Sequence, residues 1–477
     1  MRQPMPSRRT FLRGAGLAAA AAALTACGQT APTQAPAAPT QASAAPPPAA
    51  AATGVPASAQ APTSAPAAAA QAPAAAKPAA GGPAVTLKAL YWSAGPEDHQ
   101  VFVDTFNGFE KLYPTIKIDF DDTPSDQFVQ KATTMFAAGL PPDAMKTHAA
   151  WVEGFITAKR FNDLTDRMKD VKAQYIQAQL DFWSLADHVY AAPYYSGPSF
   201  IFYNKTLFNK MGVKTPDDHL KAGTWTWQTL RELARATTGG SGADKTFGWD
   251  AAMQADNLQF YACVPIWDDQ GEIVNKDNTA WLIDSDVVVD VYQWHADMYL
   301  KEKSIPLPAD MQGINYFMKT GRLAMAWAGK FRANDLINMP FEVGMVGTPK
   351  GKVGPINRDG PNGTALPVGT KNVDQAYQLA LYLGGEQAAP YYLGGGASIP
   401  VKKTLLDSPD FKKGLKPFEK PEVYAESAAT VRAWRVPGKG AEAGRVFTAE
   451  WQKVLVGQQD VPTMMKNAKP QMDALLK

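Results

Sequence analysis

Cysteine is almost missing from this chain: Cys27 and Cys263 are the two in 477 residues. No Cys-x-x-Cys pair or Cys/His cluster surrounds either one, so neither a thiolate metal site nor a redox motif is expected. Histidine is scarce too, with five at 99, 148, 188, 219 and 295, at no metal-ligand spacing. The chain has no Gly-x-Ser-x-Gly elbow, no phosphate-binding Gly-x4-Gly-Lys-Ser/Thr loop and no His-Glu-x-x-His pair. Its glycine clusters, GGSG at 239–242 and LGGGAS at 393–398, do not complete a dinucleotide fingerprint. The expectation is a protein without metal, cofactor or catalytic apparatus. One enzyme class stays open, because a glycosidase needs only two carboxylates facing each other in a cleft.

Acidic residues are missing from the first 84 positions, and that absence is informative. Arg2, Arg8, Arg9 and Arg13 make a positive start, followed by a small, apolar run from Gly14 to Ala23 that is too short to span a bilayer. This is the layout of an export signal. Ser7-Arg8-Arg9-Thr10-Phe11-Leu12-Arg13 resembles the twin-arginine signal, and Leu24-Thr25-Ala26-Cys27 is similar to the bacterial lipobox. On that resemblance residues 1–27 end at a lipidated Cys27, which becomes a membrane handle. Residues 28–84 lack aromatics and carry one charge, Lys77, among Ala, Pro, Thr, Ser, Gln and Gly. Such a composition cannot bury enough apolar surface to offset chain entropy, so a disordered tether is expected. Its 57 residues reach roughly 180 Å as polyproline II and about 40 Å as a coil.

From Val85 onward no apolar run approaches membrane-span length, and no basic face is clustered. The five cations before that point account for the formal charge of +2; the remainder sets 42 basic against 45 acidic side chains, or −3. Nucleic acid is therefore not an expected partner. A globular part of this length exceeds what one core usually holds, which predicts two lobes. Cys263, alone in an oxidising compartment, reads as a small hydrophobe.

The pattern of the first third predicts α/β structure. Val85, Leu87, Ala89 and Tyr91 alternate as in a strand, and so do Ile116, Ile118 and Phe120. Phe102, Phe106, Phe109 and Tyr113 share one helical face, and a second helix through Phe128, Ala132 and Met135 stops at Gly139 and Pro141-Pro142. Strand–helix–strand–helix predicts a parallel sheet with ligand beyond its strand ends. A strand at Ser199 to Tyr203 is expected further on, with helices beginning near Thr226, around Val287 to Tyr299, and near Tyr316.

What the chain does have is tryptophan, 12 in all. Trp92, Trp151, Trp267, Trp327 and Trp434 fall in loop-like or polar stretches, where flat rings suit the C–H faces of pyranoses. Core packing is the competing role for any one of them. Trp225, Trp227, Trp281 and Trp294 sit on or beside helices and are assigned to the core.

Several segments then resemble one family in order: 109–145 (FEKLYPTIKIDFDDTPSDQFVQKATTMFAAGLPPDAM), 189–213 (VYAAPYYSGPSFIFYNKTLFNKMGV), 224–238 (TWTWQTLRELARATT), 317–329 (FMKTGRLAMAWAG), 343–351 (VGMVGTPKG) and 372–400. They resemble extracellular solute-binding proteins of family 1, the maltose-binding-like sugar receptors. The resemblance implies an α/β, two-lobed, hinged fold of the type II periplasmic binding protein kind, with ligand in the interlobe cleft. Residues 85–195 and 364–397 would form the N-terminal lobe, and 198–362 and 400–477 the C-terminal lobe. Gly197, Gly363 and Gly396 fall near the implied crossovers, as hinge positions or as ordinary loop glycines. Matching cleft positions residue by residue selects Trp92, Glu97, Thr147, His148, Tyr194, Tyr195, Trp267, Trp327, Lys330, Trp434 and Arg435. Where relatives often carry Gly-x-Trp, this chain has Gly329-Lys330-Phe331, and Lys330 in the cleft would favour an acidic or phosphorylated sugar. The implied function is a monomeric, lipid-anchored, extracytoplasmic receptor that delivers a sugar or oligosaccharide to the permease of an ABC importer. The alternatives are a cleft enzyme acting on polysaccharide, and a receptor for a peptide or polyamine.

Overall fold

The computed structural model describes residues 84–93, 95–250, 273–275, 279–311, 317–352, 354–357, 360–396, 398–432 and 439–476. Cys27, the tether, Cys263, Trp267, Trp434 and Arg435 lie outside the described residues.

Two larger sheets carry the described part, beside a two-stranded pairing of Ser184–Leu185 with His188–Val189. The first takes β1 (Val85–Tyr91), β2 (Ile116–Asp122), β3 (Ala144–His148), β4 (Ala191–Tyr195) and a strand from much later in the chain. β1 alternates in its first half, but Ala89, Leu90 and Tyr91 are all buried. The change comes where β3 joins it, at Ala89↔Ala144 and Leu90↔Met145, because a central strand is covered on both faces. Helix α1 (Pro96–Leu112) lays Phe102, Phe106 and Phe109 on this sheet, and α2 (Ser125–Ala137) buries Phe128, Ala132 and Phe136. α2 ends at Gly139, whose φ of +68° a side chain would strain.

The second sheet has β5 (Ser199–Asn204), β6 (Phe247–Asp250), β7 (Leu323–Gly329) and β8 (Val343–Val346), in the order β8-β5-β7-β6. The helix expected near Thr226 is α3 (Trp227–Ala236), with the Thr226 hydroxyl capping it by accepting from Thr229 N at 3.1 Å. The one expected around Val287 is α4 (Asp286–Leu300). Near Tyr316 the expectation fails. Phe317–Thr320 is one 3₁₀ turn, closed at Gly321 with φ +72°, and its apolar successors enter β7.

The first sheet is also not wholly parallel. β9 (Asn362–Ala365) returns from the second sheet and inserts antiparallel between β3 and β4, giving β2-β1-β3-β9-β4. Its Gly363 is needed for packing, since a Cβ there would lie 3.0 Å from the Trp183 ring and 3.2 Å from Ala192 O. The chain passes between the sheets three times, near Ser196, Gly360 and Ile399. These passages run side by side. Ser196 N donates to Ile399 O at 3.3 Å, Ile399 N to Ser196 O at 3.4 Å, and Gly360 N to Gly197 O at 3.1 Å. Gly396 holds φ +76° at the third crossing, where a Cβ would meet Gly414 O at 2.6 Å.

Four apolar clusters fill the space around the sheets. One lies under β1, α1 and α5 (Val373–Leu383), and one packs α2 on the other face of that sheet. The cluster beneath the second sheet takes in α7 (Gly440–Leu455) and α8 (Val461–Asp473). The last joins β5 and β7 to Tyr424 of α6 (Pro421–Thr430). Trp225, Trp227, Trp281 and Trp294 are core residues, as expected. Two satisfy their indole N–H on backbone carbonyls, Trp225 on Gly347 O at 2.9 Å and Trp281 on Met472 O at 3.0 Å.

Candidate functional site

Strand register brings distant residues to one edge. His148, last in β3, pairs with Asn362, first in β9, and Asn362 also pairs with Tyr195, last in β4. β1 runs parallel to β3, so Trp92 and Ser93 emerge beside Thr147 and His148. Tyr195 and Asn362 stand where the chain passes out of and back into the first sheet through the crossover stretches, and Trp92, Ser93, Thr147 and His148 share their edge. On the second sheet Ser199 pairs with Gly329 at the corresponding edge, just past the same crossovers. Strand ends facing a crossover are where an open α/β sheet presents a ligand crevice.

Aromatic surface lines the first edge. Trp92 and Trp151 are half-buried and pack edge to face at 5.3 Å, with Phe128 behind Trp92 at 4.7 Å and His148 against Trp151 at 5.1 Å. Three polar atoms here are buried with no hydrogen-bond partner among the described residues: Trp151 Nε1, Thr147 Oγ1 and Asn362 Oδ1. An unsatisfied buried donor or acceptor costs about 1–3 kcal/mol unless something arrives to pair with it. His148 accepts from Ala150 N through Nδ1 at 3.1 Å, which leaves its proton on Nε2 in the neutral ring. Donors and acceptors beside flat rings form the chemistry of a hydroxyl-rich, C–H-faced ligand.

The acidic corner is tied up internally. Asp122 accepts from Ser93 N at 2.9 Å and from Ser93 Oγ at 2.6 Å, and pairs with His99 Nδ1 at 2.6 Å. Asp121 holds Lys131 at 2.6 Å. Lys146 lies buried behind this edge, its Nζ donating to Trp92 O at 2.8 Å; burial pushes its pKa down to about 8, against the opposing pull of Asp98 and Asp122. Glu97 sits in the first turn of α1.

Three of the residues selected from the sequence stand elsewhere. Tyr194 packs into the apolar cluster under the first sheet, against Tyr91 at 6.3 Å and Tyr392 at 5.6 Å, and burial raises its hydroxyl pKa far above the ordinary value. Tyr195 belongs to the same cluster but also reaches the crossover, its ring over Gly197, and the β4–β9 ladder shifts register beside this pair, between Asn362 and Gly363. Trp327 is 2% exposed, between Trp227 at 5.5 Å and Trp249 at 6.5 Å, and is a core residue of the second sheet.

Lys330 is the clearest correction. Its side chain is 0% exposed and its Nζ lies 2.8 and 3.0 Å from the two Glu419 carboxylate oxygens. The Tyr424 hydroxyl and Lys416 N also donate to Glu419. A cation neutralised inside the lobe offers nothing to an acidic ligand, so that ground for an acidic or phosphorylated sugar is gone. Conversely, Asn362 and Lys146 were not singled out from the sequence. Asn362 gains its place only through the antiparallel entry of β9, which no local pattern announces. Lys146, a charge within the buried run Ala144–His148, is a local irregularity that could have been noticed.

A family model for bacterial extracellular solute-binding proteins matches residues 91–390. A binding protein of Brucella abortus is 23% identical over 385 residues, 79% of this chain and 90% of that one. An ABC substrate-binding protein from Listeria monocytogenes, solved with cycloalternan, superposes with a TM-score of 0.73 at 19% identity, covering 82% of this chain and 98% of that one. A protein from Mycobacterium tuberculosis solved with glycerophosphocholine gives 0.69 at 18% identity, over 83% and 98%. The shared architecture is that of two-lobed, type II binding proteins.

Proposed function

This chain belongs to the bacterial extracellular solute-binding protein family, and from that premise we propose that it captures a carbohydrate between its two lobes and delivers it to the permease of an ABC importer. It is a binding protein rather than an enzyme. The observation that carries the carbohydrate reading is the edge formed by Trp92 and Trp151 together with the unpaired Thr147 Oγ1, Trp151 Nε1 and Asn362 Oδ1. Rings of this kind stack on sugar C–H faces, and buried unpaired polar atoms await hydroxyls. The cycloalternan bound by the Listeria protein is consistent with the same chemistry. With Lys330 withdrawn from the site, a neutral sugar is favoured over an acidic one.

The rest of the proposal concerns delivery. Lipid on Cys27 holds the mature protein at the membrane, and residues 28–84 let the monomeric receptor range above its permease. Trp267, Trp434 and Arg435 supply the contacts from the second lobe, and Glu97 and Tyr195 complete those from the first. Native mass spectrometry of protein purified from its source tests the reading: a co-purified hexose oligomer is expected. A carried peptide or polyamine, or turnover of a glycan panel, would overturn it.

A further inference from the structure

We propose that Lys146 is a positioning residue of this site: its buried ammonium grips both the carbonyl and the indole of Trp92, so that the aromatic platform answers to a single proton. The identity of the ligand rests on the carbohydrate reading above; the grip itself does not.

Trp92 is the first residue beyond β1, and β1 pairs with its neighbours only as far as Tyr91. No strand ladder therefore orients it. Its carbonyl accepts from Lys146 Nζ at 2.8 Å, and the same nitrogen lies 4.1 Å from the centroid of the Trp92 ring and 5.0 Å from that of Phe102. One cation thus fixes backbone and side chain of the same residue. Lys146 lies within a strand whose five residues are all buried, where an apolar side chain would avoid the desolvation cost of a charge. The bond to Trp92 O is the one hydrogen bond of Nζ among the described residues. A cation held over an indole away from water contributes up to ~2 kcal/mol, about thirtyfold.

The charges acting on it are Asp98 on α1 and Asp122 on β2; His99 pairs with Asp122, and Tyr91, Tyr194 and Tyr392, the last from the short helix Ala389–Tyr392, ring the Phe102 side chain that lies beside the ammonium. Burial holds the three tyrosines protonated across the neutral and mildly alkaline range. Loss of the Lys146 proton near pH 8 removes the attraction to the ring and weakens the bond to the carbonyl. The platform loosens, and affinity falls with it.

The test uses the whole chain labelled with 5-fluorotryptophan, whose twelve fluorine signals include one assigned to Trp92 by Trp92→Phe. That signal is expected to shift with a midpoint near pH 8, to lose the shift in Lys146→Met and in the permanently charged Lys146→Arg, and to keep it in His99→Asn. In parallel, maltotriose and cycloalternan are titrated calorimetrically from pH 6.5 to 9.5. Affinity for whichever binds should fall about fivefold or more through the same midpoint in the native chain. It should be flat and weak in Lys146→Met, and flat and near native in Lys146→Arg. A Trp92 signal indifferent to pH, or to both Lys146 variants, overturns the proposal. If neither sugar binds at any pH the carbohydrate reading falls, and the fluorine titration still decides the grip.

Discussion

Replacing Glu419 by Gln keeps the shape of the side chain and removes its charge, which isolates what the buried pair with Lys330 contributes. Both side chains are 0% exposed, and the carboxylate is the partner at 2.8 Å that opposes the cost of burying the ammonium. Burial already pushes the Lys330 pKa down, and Glu419 is what pulls it back up. Glu419→Gln therefore leaves an uncompensated buried cation, a defect that costs about 3–5 kcal/mol. At about 2–4 °C per kcal/mol for a unit of lobe size, the melting temperature should drop by roughly 6–20 °C. Deprotonation of Lys330 offers an escape, so the deficit should shrink as pH rises. The double variant Lys330→Met/Glu419→Leu, which buries no charge, should recover most of the loss. Thermal melts across pH 6 to 9 measure each of these. Calorimetric titration with a sugar that the native protein binds should give native affinity for both variants, because Lys330 is held inside the lobe by Glu419. A Lys330→Met variant with an unshifted melt and tenfold weaker binding would refute the reasoning and return Lys330 to the ligand.

Trp92→Ala should weaken sugar binding at least about tenfold with little change in the apo melt, whereas Trp327→Ala should cost about 3–5 kcal/mol of stability while folded protein still binds. Equal effects of the two on affinity would dissolve the distinction drawn between platform and core. Lys146 has a folded pKa of about 8, below the 10.5 of the exposed amine, so its burial cost is present in full below pH 8 and fades as pH rises toward 10.5. Relative to Lys146→Met, native stability measured by urea unfolding should thus gain about 3 kcal/mol across that window, the opposite direction to its affinity. Cys27→Ala should release the protein from the membrane fraction with unchanged affinity; retention on the membrane would refute the lipobox.

Much of the first lobe was legible because its periodicities are local. Alternation over Val85–Tyr91 and Ile116–Asp122, and the helical face of Phe102, Phe106 and Phe109, depend only on which neighbours in the chain share a side. The ordered run of motifs carried the family for the same reason, each being a contiguous segment. The composition of residues 1–84 likewise pointed to a signal and a tether without any fold being considered.

Placement of side chains about the site was another matter. Tyr194 and Tyr195 are adjacent in sequence and share one core cluster, yet only Tyr195 also lays its ring over Gly197 at the crossover, beside a register shift that breaks the strand's alternation. Which way each points depends on what covers the sheet, and for β4 that was settled by β9 arriving from the second sheet more than 160 residues later. Lys330 looked available because its partner, Glu419, stands 89 positions away on a segment that only the folded chain lays beside β7. Trp327, Trp249 and Trp227 likewise meet across three separate elements. The sequence by itself determined the class and the elements of the first lobe. The tertiary structure alone decided which aromatics and charges are buried or paired, since burial and pairing are set by contacts between segments that no local pattern records.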